Sequence, residues 1–237
     1  MELIPFGLVL VLAYGVQTAT GFGGMLVASV LGSFFLPIET IAPTMTPISL
    51  LQTGFIAVRN RRYTDRELLF RSILPGLAVG IPLGALLGLF LDGNALRGVL
   101  GLIVGFLVVR DLIGVEPPAT PSRVGIVSAG VTQGLMGAGG PLLLWSLGRL
   151  SLSPQTLRAT LTTVWVITDS LLLGWWIVQN RVNAETLHTS VFLLPAVPLG
   201  LLLGEFAFKR LDAAMFKKAL TVGLAVMAVL LLVNSLR

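Results

Sequence analysis

The sequence has no cysteine and only one histidine, His188, among its 237 residues. The missing cysteines exclude disulfides, thiolate metal sites and cysteine nucleophiles, and a histidine without companions does not form a metal site. Charged residues are also scarce, at 11% of the chain, against about a quarter in soluble domains. We therefore expect no metal and no cofactor, and the composition is not that of a soluble protein.

Long uncharged runs fill the chain instead. Thirty-six uncharged residues separate Glu2 from Glu39, and 25 separate Arg123 from Arg149. A helix needs about 20 apolar residues to cross a bilayer. These runs predict an all-α, multi-pass protein of a bacterial or archaeal cell membrane, surrounded by lipid. No basic leader precedes the first apolar run, so we expect no removable signal peptide.

Two glycine-rich stretches, residues 17–24 and 133–141, interrupt sequence that would otherwise be typical of continuous helix. Glycine destabilises a helix and leaves backbone groups without intrahelical partners. Inside a bilayer, such groups are tolerated only where they face protein, a cavity or a ligand. The two breaks are therefore the predicted working site.

The breaks belong to an internal repeat. An offset of 116 residues pairs Gln17 with Gln133 and Gly21 with Gly137, and a later offset of 120 pairs Gly80 with Gly200. We predict one transport domain of two homologous halves, residues 1–114 and 124–237, joined by a Pro-rich linker over 115–123. Each half begins with a broken helix pair and continues with three long helices. The predicted long helices are 41–58, 71–91 and 94–113, then 156–179, 188–208 and 213–235.

The loop charges predict how the halves are oriented. The loop after 41–58 carries five arginines, whereas the basic loops of the second half are those near Arg158 and Lys209. Because basic residues mark cytoplasmic loops, this alternation indicates inverted repeats, and the net charge of +5 needs no nucleic-acid partner. Inversion requires an odd number of crossings in each half, so we predict that each broken pair is re-entrant or half-spanning. A parallel arrangement of eight complete helices is the alternative.

The repeated stretches also resemble a known family. Gly21-Phe22-Gly23-Gly24, Pro43-Thr44-Met45-Thr46-Pro47, Gly137-Ala138-Gly139-Gly140-Pro141 and Arg158-Ala159-Thr160 are similar to segments of the TauE/SafE sulfite exporters. This family is also described as the 4-toluene sulfonate uptake permeases. The resemblance covers essentially the whole chain. It implies a carrier of sulfite or organosulfonates, without choosing among sulfur anions.

The breaks can bind an anion without a buried cation. A helix that begins after a break points free N–H groups and a partial positive charge towards it. Gln17 and Gln133 are expected to add amide donors, and threonines at the following helix starts to add hydroxyls. The predicted substrate-binding residues are Gln17, Gly21, Phe22, Gly23, Gly24, Thr44, Thr46, Gln133, Gly137, Ala138, Gly139, Gly140, Pro141, Thr160 and Thr162. Equally, the glycines can serve only close helix packing, and the threonines can bond their own helices.

Asp169 is the one carboxylate deep inside a predicted helix. Intramembrane acids are costly and usually functional, so Asp169 is the candidate carrier of a coupling proton. A polar vestibule or a helix kink is the other interpretation. A single aspartate does not supply the paired acids of an intramembrane protease, and we expect no enzyme activity. The sequence predicts a secondary carrier of a small sulfur anion, with a passive anion channel as the alternative.

Overall fold

The structure is a computed structural model and describes residues 3–148, 150 and 152–210. Within these ranges the fold is entirely helical, with a 3-10 turn at Arg61–Tyr63 and a π-helical segment at Leu68–Ile73. The α-helices are α1 Leu3–Thr20, α2 Gly24–Gly32, α3 Ile38–Asn60, α4 Leu74–Leu87, α5 Gly93–Leu112, α6 Arg123–Met136, α7 Gly140–Ser146, α8 Pro154–Val178, α9 Ala184–Leu193 and α10 Ala196–Arg210. The predicted helix 213–235 lies outside the described residues.

Polar residues set several of the helix starts. The side chains of Asp92, Ser122, Ser153 and Asn183 each precede a helix and accept a hydrogen bond from a backbone N–H in its first turn. Such caps satisfy donors that have no intrahelical partner. The starts of α5, α6, α8 and α9 are therefore defined by local sequence.

Five helical segments are long and apolar enough to cross a bilayer. They are Leu3–Thr20, Ile38–Tyr63, Leu68–Leu87, Gly93–Arg110 and Pro154–Val178. The bent pair α9 and α10 meets the same criteria as a sixth span. The chain is thus a helical membrane protein by the length and composition of its helices.

The broken pairs are unequal in length. Helices α2 and α7 have 9 and 7 residues, or about 14 and 10 Å at 1.5 Å per residue, far less than a hydrocarbon core of about 30 Å. Helix α1 has 18 residues, or about 27 Å, which differs from the half-spanning length expected of it. The reason is that no glycine break interrupts the chain before Thr20.

The predicted single helix over 188–208 is wrong, because α9 and α10 are two helices that meet at an angle of 46°. Pro195 lies at the bend, where it lacks an N–H and its ring clashes with the preceding turn. Its repeat equivalent, Pro75, follows the π-helical segment Leu68–Ile73. Proline therefore disturbs the helix at the same position of each half, in two different ways.

Glycines allow two pairs of helices to pack very closely. Any side chain at Gly80 or Gly84 of α4 would overlap the backbone of α6. Gly200 and Gly204 of α10 lie against α1 in the same way. The two helices of each pair, α4 with α6 and α10 with α1, run parallel to each other. Each contact joins one half of the chain to the other.

Helices α3 and α8 pack antiparallel through the centre. Midway along them, the Ser49 hydroxyl donates to Asp169 Oδ2 over 3.4 Å. Beyond the end of α3, the backbone N–H of Asp65 donates to the Thr160 hydroxyl near the start of α8, over 2.9 Å. The arginine-rich loop after α3 therefore lies beside the start of α8.

Candidate functional site

The structure brings the two glycine breaks into contact with each other. A Cβ atom at Gly140 would lie 3.1 Å from the Phe22 Cβ and 3.4 Å from the Gly23 nitrogen. A Cβ atom at Gly137 would lie 3.2 Å from the Met25 Cγ. The starts of α2 and α7 therefore converge on one place between the halves.

A cavity of about 20 Å³ lies at this meeting point. Nine of the predicted residues line it, namely Gln17, Gly23, Gly24, Gln133, Gly137, Ala138, Gly140, Pro141 and Asp169. A water molecule needs about 10–15 Å³ on this measure, so the cavity holds only one or two water-sized groups in this conformation. The site is small, polar in part and lined by both halves.

Each break begins with a glycine in a left-handed conformation. The φ angle is +86° at Gly21 and +71° at Gly137, a region that other residues enter at a cost. Helix α6 ends at this turn with the N–H of Gly137 donating to the Gln133 carbonyl over 2.7 Å, and Gly21 makes the equivalent bond to Gln17 over 2.8 Å. The repeated glycines therefore terminate equivalent helices.

In each break, a glutamine side chain forms a hydrogen bond across the interruption. Gln17 Oε1 accepts a hydrogen bond from the Gly24 N–H over 2.8 Å, and Gln133 Oε1 accepts one from the Gly139 N–H over 3.0 Å. Sequence reasoning expected both amides to donate into the cavity. That expectation stays a prediction. In the structure, each amide oxygen takes up one of the backbone donors that the break leaves free, and the Gln133 nitrogen donates to Asp169.

Further backbone donors remain at the helix starts. The first intrahelical bond of α2 is donated by Val27 and that of α7 by Leu143, so the earlier N–H groups have no partner within their own helices. Among them, the residues Met25, Leu26 and Gly140 line the cavity. Helix α7 is only two turns long, and the longer α2 therefore supplies the larger helix dipole.

Asp169 is held at the cavity by two neighbouring helices. Its Oδ1 accepts a hydrogen bond from Gln133 Nε2 over 2.8 Å, and its Oδ2 accepts the longer bond from Ser49. The residue is 5% exposed. One carboxylate thus joins α3, α6 and α8 next to the candidate site.

Two aromatic residues complete the polar wall. Trp165 Nε1 donates to the Gly21 carbonyl over 2.7 Å, which ties α8 to the first break. Tyr14 lines the cavity, and its buried hydroxyl has no hydrogen-bond partner in the described part of the chain. It is therefore an available donor for a bound ligand.

The predicted threonines do not line the cavity. Thr46 and Thr162 donate to carbonyls of their own helices, over 2.8 Å each, and Thr160 accepts the bond from Asp65. Thr44 is buried, and its carbonyl accepts a bond from the Ser190 hydroxyl over 2.7 Å. Gly21, Phe22 and Gly139 also belong to the breaks without lining the cavity.

Sequence reasoning missed six lining residues, namely Tyr14, Met25, Leu26, Met45, Ser49 and Trp165. Helical spacing carries a signal for two of them. Ser49 lies four residues after Met45, and Trp165 lies four residues before Asp169, so each pair shares a helix face. The repeat offset also pairs Ser49 with Trp165. A search from Asp169 along its own helix face would have found the tryptophan.

Several apolar spans around a small polar cavity at helix breaks are the features of a membrane transport protein. The sequence profile of the family described as sulfite exporter TauE/SafE matches residues 6–231. The chain therefore belongs to the TauE/SafE family of sulfite exporters, as the resemblance implied.

A relative in Cupriavidus necator is described as a probable sulfite/organosulfonate exporter TauE. It is 25% identical to this chain over 201 residues, which cover 80% of this chain and 77% of the relative. No solved structure matches the chain significantly.

Proposed function

We propose that the protein is a secondary carrier that moves a small sulfur oxyanion, such as sulfite, thiosulfate or a small organosulfonate, across the plasma membrane of a bacterium or archaeon. The observation that carries this proposal is the meeting of both glycine breaks at one small cavity. Backbone donors, the Tyr14 hydroxyl and the start of α2 offer hydrogen bonds and positive potential to an oxyanion. Binding without an ion pair also favours release.

The size of the cavity supports alternating access. With room for one or two water-sized groups, the cavity must widen before it can hold an oxyanion of four or more heavy atoms. Movement of the α3–α8 pair against the broken helices would provide that space. A carrier with such a small site differs from a channel, in which a continuous pore is open to both sides.

Asp169 is the proposed coupling residue. A bound oxyanion and an ionised carboxylate in the same small cavity repel each other strongly, because the surroundings have a low dielectric constant. The anion is therefore expected to bind together with a proton on Asp169. Gln133 and Ser49 can hold the carboxyl group in both protonation states. The Gln133 amide donates to Oδ1 in either state, and the Ser49 hydroxyl donates to an ionised Oδ2 or accepts from a protonated one.

Inverted halves are part of the proposal. The equivalent helices α3 and α8 run antiparallel, which supports an inverted relation between the repeats. The arginine-rich loop after α3 and Arg158 at the start of α8 lie on the same side of the molecule. This side, called the basic face below, would be cytoplasmic under the positive-inside rule.

The test is flux of sulfite, thiosulfate and small sulfonates in proteoliposomes, with and without a pH gradient. We expect saturable flux of at least one of these anions, accelerated counterflow from preloaded vesicles, and faster flux with the gradient. Protein-free liposomes provide the baseline. Large unitary currents without counterflow would favour the channel, and flux no faster than the baseline would overturn the proposed substrate class.

A further inference from the structure

A partly buried ion pair lies beside the first glycine break, outside the cavity. Arg158, near the start of α8, bonds through one guanidinium nitrogen to the carboxylate of Glu205 on α10. The Arg158 side chain is 6% exposed and that of Glu205 is 28% exposed. The cation is thus the inner member of the pair, and Glu205 is its more exposed partner.

The guanidinium has donors that Glu205 does not use. Its Nε is buried and has no hydrogen-bond partner in the described ranges, and its Cζ lies 4.9 Å from the centre of the Phe208 ring. A guanidinium offers five N–H groups in a planar fork that fits a tetrahedral or pyramidal oxyanion. Arg158 is therefore able to bind an anion in place of the carboxylate.

Arg158 is connected to the cavity along one face of α8. Trp165 and Asp169 follow it at spacings of seven and four residues, which keeps all three on the same side of a helix. A Cβ atom at Gly21 would lie 2.9 Å from the Arg158 Cα, and the Gly21 carbonyl accepts the Trp165 bond. The Cα of Arg158 thus lies about 10 Å along the helix from that of Trp165 in the cavity wall.

We propose that Arg158 is a second anion-binding site at the mouth of the transport path, and that Glu205 is its built-in competitor. An oxyanion arriving from the basic face displaces the Glu205 carboxylate from the guanidinium and then passes to the cavity. This inference rests on the proposed anion transport. The repeat equivalents of Arg158 and Glu205 are Ala42 and Ala85, so only one mouth has this pair.

The absence of cysteine permits a direct test by thiol labelling. Met45→Cys places a single thiol in the cavity wall, and proteoliposomes containing this variant are treated with two methanethiosulfonates of similar size. One carries a sulfonate group and the other carries a trimethylammonium group. Each reagent forms a disulfide with the thiolate and releases a sulfinate, and the labelling rate reports access of each charge to the cavity.

We expect Glu205→Gln to raise the labelling rate of the sulfonate reagent about tenfold, within the range of electrostatic effects on association. The trimethylammonium reagent should not become faster. Arg158→Gln should slow the sulfonate reagent by a similar factor, and Arg158→Lys should fall between these rates because it keeps the charge and loses the fork. Glu67→Gln, which breaks the exposed Glu67–Arg71 pair, is the matched control and should change neither rate.

Two results would overturn the inference. Equal acceleration of both reagents by Glu205→Gln would mean that the Arg158–Glu205 pair only holds α8 and α10 together and does not select for charge. Unchanged rates in all variants would mean that the pair does not control access to the cavity. Sulfite flux in the same vesicles separates this failure from that of the proposed function. Charge-selective labelling without flux would support the anion site at Arg158 and reject the proposed carrier. Flux with unselective labelling would support the carrier and reject the anion site.

Discussion

In each glycine break, a glutamine bonds a backbone N–H of the same break, but the two glutamines differ in their other partners. In the first break, Gln17 reaches the N–H seven residues later and binds no carboxylate within the described part of the chain. In the second, Gln133 reaches the N–H six residues later and also donates to Asp169. Thr53 stands at the repeat position of Asp169 and donates to a carbonyl of its own helix. Both halves place a left-handed glycine four residues after the glutamine, while only the second half supplies a carboxylate to the described cavity lining.

The backbone explains why Gln133 bonds an N–H one residue earlier than Gln17 does. Gly23 has a left-handed φ of +85°, whereas its equivalent Gly139 is right-handed at −71°. The second break therefore returns to helical geometry one residue earlier, and its glutamine bonds an earlier N–H. We infer that the first break mainly shapes the cavity and that the second also couples it to Asp169.

The largest expected effect comes from removing the asymmetric carboxylate. Asp169→Asn should abolish the acceleration of anion flux by a pH gradient, with at least about a tenfold loss of gradient-driven accumulation, because no group remains to carry the proton. Exchange without a gradient should continue. The measurement is uptake into proteoliposomes at matched protein density.

Thr53→Val is the control at the equivalent position of the first half. It removes a hydroxyl that bonds only its own helix, so the response to the gradient should stay intact. Full gradient dependence in Asp169→Asn would show that coupling resides elsewhere, and the functional difference between the breaks would disappear.

A smaller effect should distinguish the glutamines. Gln17→Leu leaves one buried backbone N–H without its partner, at a cost of about 1–3 kcal/mol. Gln133→Leu leaves such an N–H and also removes a donor from Asp169, so it should lower the free energy of unfolding further. Reversible denaturation in detergent measures both. Equal losses would mean that the Gln133–Asp169 bond contributes nothing to stability.

The smallest effects concern the left-handed glycines. Gly137→Ala should cost about 1–2 kcal/mol, because alanine is strained at positive φ, and its neighbour Met25 is flexible. Gly21→Ala should cost more, since its Cβ would also press on the Arg158 backbone. Gly54→Ala, in an open position of α3, should instead stabilise the helix by about 0.5–1 kcal/mol. The same denaturation assay ranks the three, and a milder Gly21 substitution would contradict the packing described here.

Sequence alone located much of this arrangement. The paired glycines predicted where helices are interrupted, because their helix-breaking effect is local, and the isolated charge of Asp169 identified the buried acid. The bend at Pro195 was missed because the same Leu-Pro pair is compatible with a π-helical segment at Pro75. Its consequence depends on tertiary packing.

The side chains that line the cavity were harder to predict. The direction of a side chain around a helix follows from the rotation of that helix against its neighbours, which the repeat does not encode. Thr46 and Thr162 show this, because both occupy equivalent positions and both bond their own helices rather than the cavity. Tyr14 lies in an apolar run that offered no signal of a polar site nearby, and Met45 lies between two threonines, Thr44 and Thr46, that were predicted in its place.

The glycine contacts between α4 and α6, and between α10 and α1, have a consequence for synthesis in the cell. When synthesis has reached only the linker, α1 and α4 have been made. The helices that pack most closely against them, α10 and α6, have not yet been synthesised. Neither surface can be covered until the second half enters the membrane. We therefore expect the halves to be inseparable in biogenesis: each expressed alone should be degraded, and the two should accumulate only when they are made together.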